Sequence, residues 1–188
     1  MIDFNLQFIY TRVAKTGSTS LLKSIYKDDK KDIAETRRLD TSEHWRDDIN
    51  HYPLYIIKKI VRCENYENYF KFAFVRNPYD RIVSAFSYDS QFHGMGLDFK
   101  KFVFSKSIPV KYDINQYDFV IGSDFIGKFE NLQSDFDFIC DRLGITRDPL
   151  NLDNYSKHKH YSEYYDDETK EFVAKKYAKD IEYFGYEF

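Results

Sequence analysis

Residues 71–86 read KFAFVRNPYDRIVSAF, and this stretch decides the kind of fold to expect. Its first part, Lys71–Arg76, is short and rich in aromatic and β-branched residues, as a buried central strand is. The strand stops at Asn77 and Pro78, which suit the N-cap and the first position of a helix. Asp80 then places negative charge in the first helical turn. The stretch therefore predicts a strand that runs directly into a helix.

A second unit of the same kind lies near the start of the chain. Leu6–Thr11 reads as a buried strand, residues 12–17 as a short turn and Ser18–Tyr26 as an amphipathic helix. Repeated strand–helix alternation predicts an α/β domain with a central, mainly parallel sheet flanked by helices and room for an antiparallel edge strand. No repeat, low-complexity tract or linker interrupts residues 1–188, so we expect a single domain.

The remaining elements are predicted from local signals. A helix is expected over Leu54–Arg62 with Pro53 at its first position, and a hairpin of strands over residues 117–121 and 124–129 around Gly122-Ser123. Two further helices are expected, one over Leu132–Leu143 that ends at Gly144 and one near the C-terminal end that is capped by Asp166 or Asp167.

Composition excludes several classes of protein. The 188 residues carry a formal net charge of −3, with 43% hydrophobic and 31% charged residues, which argues against disorder and against a general nucleic-acid or membrane binder. No apolar run is long enough for a membrane helix, and the first residues do not read as a leader. Cys63 and Cys140 are too few for a disulfide scaffold, so a cytoplasmic protein is expected. Aromatic residues, 19% of the chain, are scattered and predict core packing rather than a stacking surface.

The turn after the first strand carries the chemistry. Residues 15–20 read KTGSTS, so a strand-to-helix turn there combines backbone amides, hydroxyl groups and one lysine. Such a turn favours an anion, because the helix dipole and the free amides point at one place. The stretch is not a Walker A loop, since the lysine precedes the glycine. An ordinary cluster of helix-capping residues is the alternative interpretation.

A second anion-binding element follows the second strand. Arg76 ends that strand and offers a bidentate fork for a phosphate, and Ser84 lies eight residues on in the next helix. Open α/β sheets bind ligands at the carboxyl ends of their strands, which is where Arg76 stands. Arg81 is expected to be a solvated charge on that helix.

These residues resemble sulfotransferases that use 3′-phosphoadenosine 5′-phosphosulfate (PAPS), in particular the carbohydrate branch with its heparan 2-O- and chondroitin-type enzymes. The resemblance lies in four patches in the right order, at residues 15–20, 74–86, 126–132 and 164–186. It implies a fold related to that of P-loop nucleotide kinases. The resemblance also implies a 5′-phosphosulfate site at Lys15, Thr16, Gly17, Ser18, Thr19 and Ser20, and a 3′-phosphate site at Arg76 and Ser84.

The resemblance further implies transfer of a sulfonyl group to an acceptor hydroxyl, with PAP, the desulfated nucleotide, as product. Lys15 is expected to stabilise charge on the leaving phosphate oxygen, and no metal is expected. A histidine or glutamate between the two motifs is expected to be the general base, and His51 is the first candidate because a helix start beside it favours the neutral imidazole. His44 and a carboxylate such as Glu43 are the alternative bases, and a surface or helix-capping role is the alternative for each histidine.

Several further features of the sequence allow more than one interpretation. The basic run Lys157–His160 either closes over the cofactor phosphates or is a solvated loop. Glu130 orients Lys15 or a backbone amide, or it is simply a charge at the end of a strand. The expected acceptor is a glycan or a glycosylated small molecule, with specificity placed in residues 27–50 and 87–116. A degenerate binding module and a P-loop-type kinase are the alternative functions, and the oligomeric state is undetermined.

Overall fold

The computed structural model describes residues 1–27, 51–60, 66–92, 96, 98–105, 110–151 and 158–188. Its sheet has four strands in the order β1 (Ile2–Asp3), β2 (Phe8–Thr11), β3 (Phe70–Val75) and β4 (Phe125–Lys128). β1 is antiparallel to β2, whereas β2, β3 and β4 are mutually parallel. The predicted α/β class, with a mainly parallel sheet and an antiparallel edge, is confirmed.

Helices flank this sheet. In chain order they are α1 (Ser18–Ile25), α2 (Leu54–Ile60), α3 (Pro78–Phe92), α4 (Phe99–Phe104), α5 (Val110–Asp113), α6 (Gln116–Val120), α7 (Leu132–Leu143), α8 (Asp167–Lys176) and α9 (Ala178–Phe184). Single turns of 3-10 helix cover Tyr66–Asn68, Phe129–Asn131 and Tyr161–Glu163. No helix within the described ranges is both long and apolar enough to cross a bilayer.

Aromatic side chains fill the core on one face of the sheet. Tyr10 of β2 and Phe72 of β3 are register partners, and their rings stack with centroids 4.8 Å apart. Phe136 of α7 and Leu21 of α1 are buried in the same cluster. The prediction that the aromatic residues pack in the core is confirmed, because these rings take the volume that aliphatic side chains fill elsewhere.

Local capping signals place the helix ends where the sequence predicts them. The Asn77 side-chain oxygen accepts a hydrogen bond from the Tyr79 amide at 3.0 Å, which makes Asn77 the N-cap of α3. Gly144 ends α7 in the left-handed region at φ 69°, and Asp166 caps α8 with a reciprocal capping box. The last predicted helix is interrupted at Tyr177, so it forms the two shorter helices α8 and α9.

The predicted hairpin around Gly122-Ser123 is wrong. Its second strand exists as β4, but β4 pairs in parallel with β3, and the preceding residues form helix α6. Asp180 of α9 accepts hydrogen bonds from the backbone amides of Gln116 and Tyr117, both at 2.8 Å. These contacts satisfy the first amide groups of a helix, and a residue more than sixty positions away makes them. Short-range pattern therefore cannot reveal them.

The N-terminal side of α2 differs slightly from its prediction. The carbonyl of Pro53 accepts bonds from the amides of Ile56 and Ile57, so Pro53 lies just before the first helical residue. The predicted end of this helix at Arg62 and the surface excursion of residues 28–50 lie outside the described residues. Cys140 is a buried free thiol on α7, and burial raises its pKa to about 11, while Cys63 is not described.

Candidate functional site

The turn between β2 and α1 has the tight geometry that an anion loop needs. Lys15 and Gly17 both adopt the left-handed backbone region, with φ of 71° and 83°. A Cβ on Gly17 would lie 2.9 Å from Leu132 Cδ2 and 3.3 Å from the ring of Phe129, so only glycine fits there without displacement. The start of α7 thus packs directly under the loop and fixes its path.

The hydroxyl groups of this turn do not all face one way. Thr16 is fully buried and its hydroxyl donates to the Val13 carbonyl at 2.8 Å, so this side chain closes the turn internally. Ser18 is nearly buried, and the Nη2 atom of Arg12 lies 3.4 Å from its oxygen. Ser20 is also buried, whereas Thr19 is exposed. Arg12 therefore adds a cationic group at the loop that the sequence reading did not single out.

Arg76 lies against the same turn. Its Nη1 atom donates to the Lys15 carbonyl at 3.2 Å, and its Nε atom donates to Asp80 Oδ2 at 2.8 Å. The guanidinium stacks over the Phe129 ring, with 4.0 Å between the guanidinium carbon and the ring centroid, and Arg76 is only 3% exposed. The two predicted anion-binding elements, 61 positions apart in sequence, are therefore in direct contact.

One face of α3 runs along both elements. Asp80, Ser84 and Tyr88 recur every four residues, so they share a side of the helix. Asp80 pairs with Arg76 at one end, and at the other end the Lys15 ammonium lies 4.1 Å from the centre of the Tyr88 ring. Ser84 stands between them and is 2% exposed. The i, i+4 spacing from Arg76 is the signal by which Asp80 and Tyr88 are recognisable in the sequence.

His51 contacts the turn at its first residue, Arg12. Its Nδ1 atom is 2.9 Å from the Arg12 carbonyl oxygen. A carbonyl only accepts, so this contact requires the proton on Nδ1, and in the neutral ring the lone pair is then on Nε2. The imidazole is half-buried, next to the loop that holds Lys15. His44 and Glu43, the alternative bases, lie outside the described residues.

The basic run near the C-terminal end reaches the Arg76 element through one residue. The His158 ring is 3% exposed, and its Nε2 atom lies 3.8 Å from Asp80 Oδ1. Lys159 and His160 are exposed, and Lys159 pairs with Glu163, whereas Lys157 is not described. Only His158, among the described members of this run, therefore lies at the Arg76–Asp80 pair.

The prediction that Arg81 is a solvated charge is wrong. Arg81 is 0% exposed; its Nε atom donates to the Ala14 carbonyl and its Nη2 atom to the Tyr112 carbonyl, both at 3.3 Å. Burial lowers the pKa of Arg81, while the Tyr177 ring and the Asp180 carboxylate act in the opposite direction. A guanidinium can be buried because its several N–H groups find carbonyl acceptors on two distant segments. Arg81 thus ties the anion loop to α5.

Glu130 holds a backbone amide, which is one of its three predicted roles. Its Oε1 atom accepts from the Asn77 amide at 2.7 Å, and its Oε2 atom accepts from the Tyr186 hydroxyl at 3.2 Å. Glu130 therefore fixes the start of α3 against the C-terminal segment. Among the side chains that the structure describes, no three His, Cys, Asp or Glu residues converge on a point that suits a metal ion.

Comparison with known proteins places these elements in a family. The sequence model of the sulfotransferase family matches residues 1–187. Human carbohydrate sulfotransferase 9 is 29% identical over 150 residues, which is 60% of this chain and 33% of that protein. An uncharacterized protein of Archaeoglobus fulgidus is 30% identical over 99 residues, or 50% of this chain and 82% of the archaeal protein.

The chain thus spans a third of the human relative's length but most of the archaeal one. No solved structure matches it significantly. The family match covers both predicted anion-binding elements and the α/β sheet that carries them. The chain belongs to the sulfotransferase family.

Proposed function

We propose that this chain moves a sulfonyl group from PAPS to a hydroxyl group of a carbohydrate-containing acceptor. The single observation that carries the proposal is the hydrogen bond from Arg76 to the Lys15 carbonyl, because it joins two cationic elements at the carboxyl ends of neighbouring parallel strands. A nucleotide with phosphate groups at both ends of its ribose needs two such elements side by side. The family match and the name of the human relative support the sulfonyl donor and the carbohydrate acceptor.

The residues of the site fit a doubly anionic ligand. Lys15, Gly17 and the first turn of α1 supply an ammonium group, close backbone approach and helix amides for the 5′-phosphosulfate. Arg76 supplies a buried fork and Ser84 a hydroxyl for the 3′-phosphate. Asp80 orients the Arg76 guanidinium through Nε and Nη2, each 2.8 Å from Oδ2, and the Lys15 ammonium lies over the Tyr88 ring.

Sulfonyl transfer then depends on positioning and charge stabilisation by these side chains. Lys15 stabilises the negative charge that develops on the leaving phosphate oxygen. His51 accepts the proton of the acceptor hydroxyl at Nε2, because its Nδ1 proton is engaged with the Arg12 carbonyl. The same contact holds the imidazole in one tautomer and one orientation beside the loop.

Calorimetry with PAP tests the donor assignment. We expect PAP to bind the wild-type chain, and Arg76→Ala to weaken binding by roughly 10- to 150-fold, the loss of a charge-assisted bidentate contact. Arg147→Ala is the matched control, since Arg147 is exposed and its guanidinium forms an ion pair with Asp141 on α7. Binding that is equal in all three proteins, or absent from the wild type at high micromolar PAP, contradicts the donor assignment.

A substitution at His51 separates the base from the donor site. Asn places an N–H close to the position of Nδ1, so His51→Asn keeps a donor toward the Arg12 carbonyl but removes the basic nitrogen. We expect turnover with a carbohydrate acceptor to fall by roughly 10²- to 10⁴-fold while PAP affinity is retained. Unchanged turnover refutes the His51 assignment and leaves the transferase assignment intact.

Two other functions predict different results in the same experiments. A degenerate binding module binds PAP but yields no sulfated product with any acceptor. A P-loop-type kinase hydrolyses or transfers phosphate from ATP only when Mg²⁺ is added.

A further inference from the structure

Gln116 occupies an unusual position at the end of the central strand. It is fully buried, and both halves of its carboxamide bond to the backbone of Arg76. Gln116 Oε1 accepts from the Arg76 amide at 2.9 Å, and its Nε2 atom donates to the Arg76 carbonyl at 2.7 Å. Strand pairing with β4 ends one residue earlier, at Val75. The Gln116 side chain therefore takes the place of a neighbouring strand for the residue that carries the anion-binding fork.

Asp180 fixes which way this carboxamide points. Its Oδ2 atom accepts from the Gln116 backbone amide at 2.8 Å and from the Gln116 Nε2 atom at 3.3 Å. A carboxylate only accepts hydrogen bonds from an amide, so the NH₂ group of Gln116 must face Asp180. The amide oxygen is then directed at the Arg76 N–H. A buried carboxylate on α9 thus determines the orientation of a side chain on α6.

The backbone of Arg76 has to be held for its side chain to act. The guanidinium contacts Asp80 and the Lys15 carbonyl at 2.8 and 3.2 Å, and such contacts depend on where the Cα–Cβ bond starts. A shift of about 1 Å in the position of a binding group is enough to lose much of its effect. Removing the Gln116 carboxamide would also leave two buried backbone groups of Arg76 without their partners.

We infer that Gln116, oriented by Asp180, is a positioning residue that holds Arg76 for the 3′-phosphate of the nucleotide. This inference rests on the proposed function, because it assumes that Arg76 binds a 3′-phosphate. The inference predicts that loss of Gln116 lowers the affinity only for ligands that carry this phosphate. A residue that merely supports folding would not discriminate between nucleotides.

The experiment compares two nucleotides on the full chain. PAP carries a 3′-phosphate and adenosine 5′-phosphate lacks it, so the ratio of their dissociation constants measures the Arg76 contribution. We expect Gln116→Met, which keeps the volume but removes both hydrogen bonds, to weaken PAP about tenfold and adenosine 5′-phosphate less than twofold. Asp118→Asn is the control: it breaks the ion pair between Asp118 and Lys179 that joins α6 to α9, and both affinities should be retained.

A second variant covers the case in which Gln116→Met does not fold, as judged by thermal unfolding. Asp180→Asn keeps the shape of the carboxylate but removes the charge that orients the carboxamide, and the same selective loss of PAP is expected, with a smaller ratio. Equal losses for both nucleotides, or no loss for either, overturn the positioning role while a wild-type preference for PAP upholds the proposed function. A wild-type chain without that preference overturns both.

Discussion

The glycine at the start of α1 offers a quantitative test of how the turn between β2 and α1 is packed. Gly17→Ala forces alanine into the left-handed backbone region at φ 83°, which costs about 1 kcal/mol. The substitution also places a Cβ 2.9 Å from Leu132 Cδ2. Crowding of this kind in a packed region costs about 1–3 kcal/mol. Together we expect a loss of about 3 kcal/mol in the free energy of unfolding, or roughly 6–12 °C in Tm for a chain of this length.

A matched glycine isolates the two contributions. Gly144 ends α7 at φ 69°, and a Cβ added there meets nothing within 4 Å. Gly144→Ala therefore incurs only the backbone strain, and we expect a fall in Tm of roughly 2–4 °C. Urea and thermal unfolding of both variants give the comparison. The difference between them, about 2 kcal/mol, is the cost of the contacts with Leu132 and the Phe129 ring.

A double substitution completes the test. Leu132→Ala removes both Cδ atoms that the new methyl group would meet and leaves the Phe129 ring at 3.3 Å, so adding Gly17→Ala to it should cost little more than the backbone strain. The coupling free energy between the two sites should thus be about 2 kcal/mol in the direction of rescue. Equal costs for Gly17→Ala and Gly144→Ala, or additive effects with Leu132→Ala, would falsify the packing argument.

Three further measurements probe other contacts of the site and core. In urea titration, Arg81→Met should lower the free energy of unfolding by about 3–5 kcal/mol. The substitution leaves two buried carbonyls and the Asp180 carboxylate without the guanidinium that they face in the wild type. A loss below about 1 kcal/mol would contradict this expectation. Tyr88→Leu should lower kcat with little effect on the affinity for PAP, because it removes the ring over which the Lys15 ammonium lies. Tyr88→Phe keeps the ring face and should have the kcat of the wild type. Equal losses of kcat in both variants would show that the contact between Lys15 and the ring does not matter for turnover. Burial raises the pKa of Cys140 from 9.0 to about 11, so at pH 8 the native chain carries roughly 100-fold less Cys140 thiolate than the unfolded chain. Alkylation of Cys140, followed by peptide mapping, should be slower in the native chain by at least that factor. Comparable rates in the two states would contradict its burial.

Local signals in the sequence predict the site's framework well. The Asn77-Pro78 pair, the turn over residues 12–17 and the helix over Leu132–Leu143 all follow from capping rules and hydrophobic period, which act within a few residues. The same signals, together with the family resemblance, select Lys15 and Arg76. That these two residues would touch through a carbonyl is a matter of tertiary packing, which no local rule states.

The errors have a common physical origin in long-range contacts. Residues 117–121 are apolar and aromatic and suit a strand, but Asp180 supplies acceptors for the first amides of a helix there. The charge of Arg81 predicts a surface residue, but its guanidinium is buried because the carbonyls of Ala14 and Tyr112 accept its hydrogen bonds. In both cases the deciding partner is distant in the chain.

Asp180 of α9 orients Gln116, which bonds the backbone of Arg76 at the end of β3, and this long-range contact has a consequence for biosynthesis. Asp180 leaves the ribosome about a hundred residues after Arg76, which corresponds to roughly 5–20 s of elongation. During that interval the sheet and the turn between β2 and α1 can form, but the carboxylate that orients Gln116 has not yet been made. The arrangement around Arg76 is therefore completed only after most of the chain has emerged, and ribosome-bound chains that end before α9 should bind PAP more weakly than the full chain.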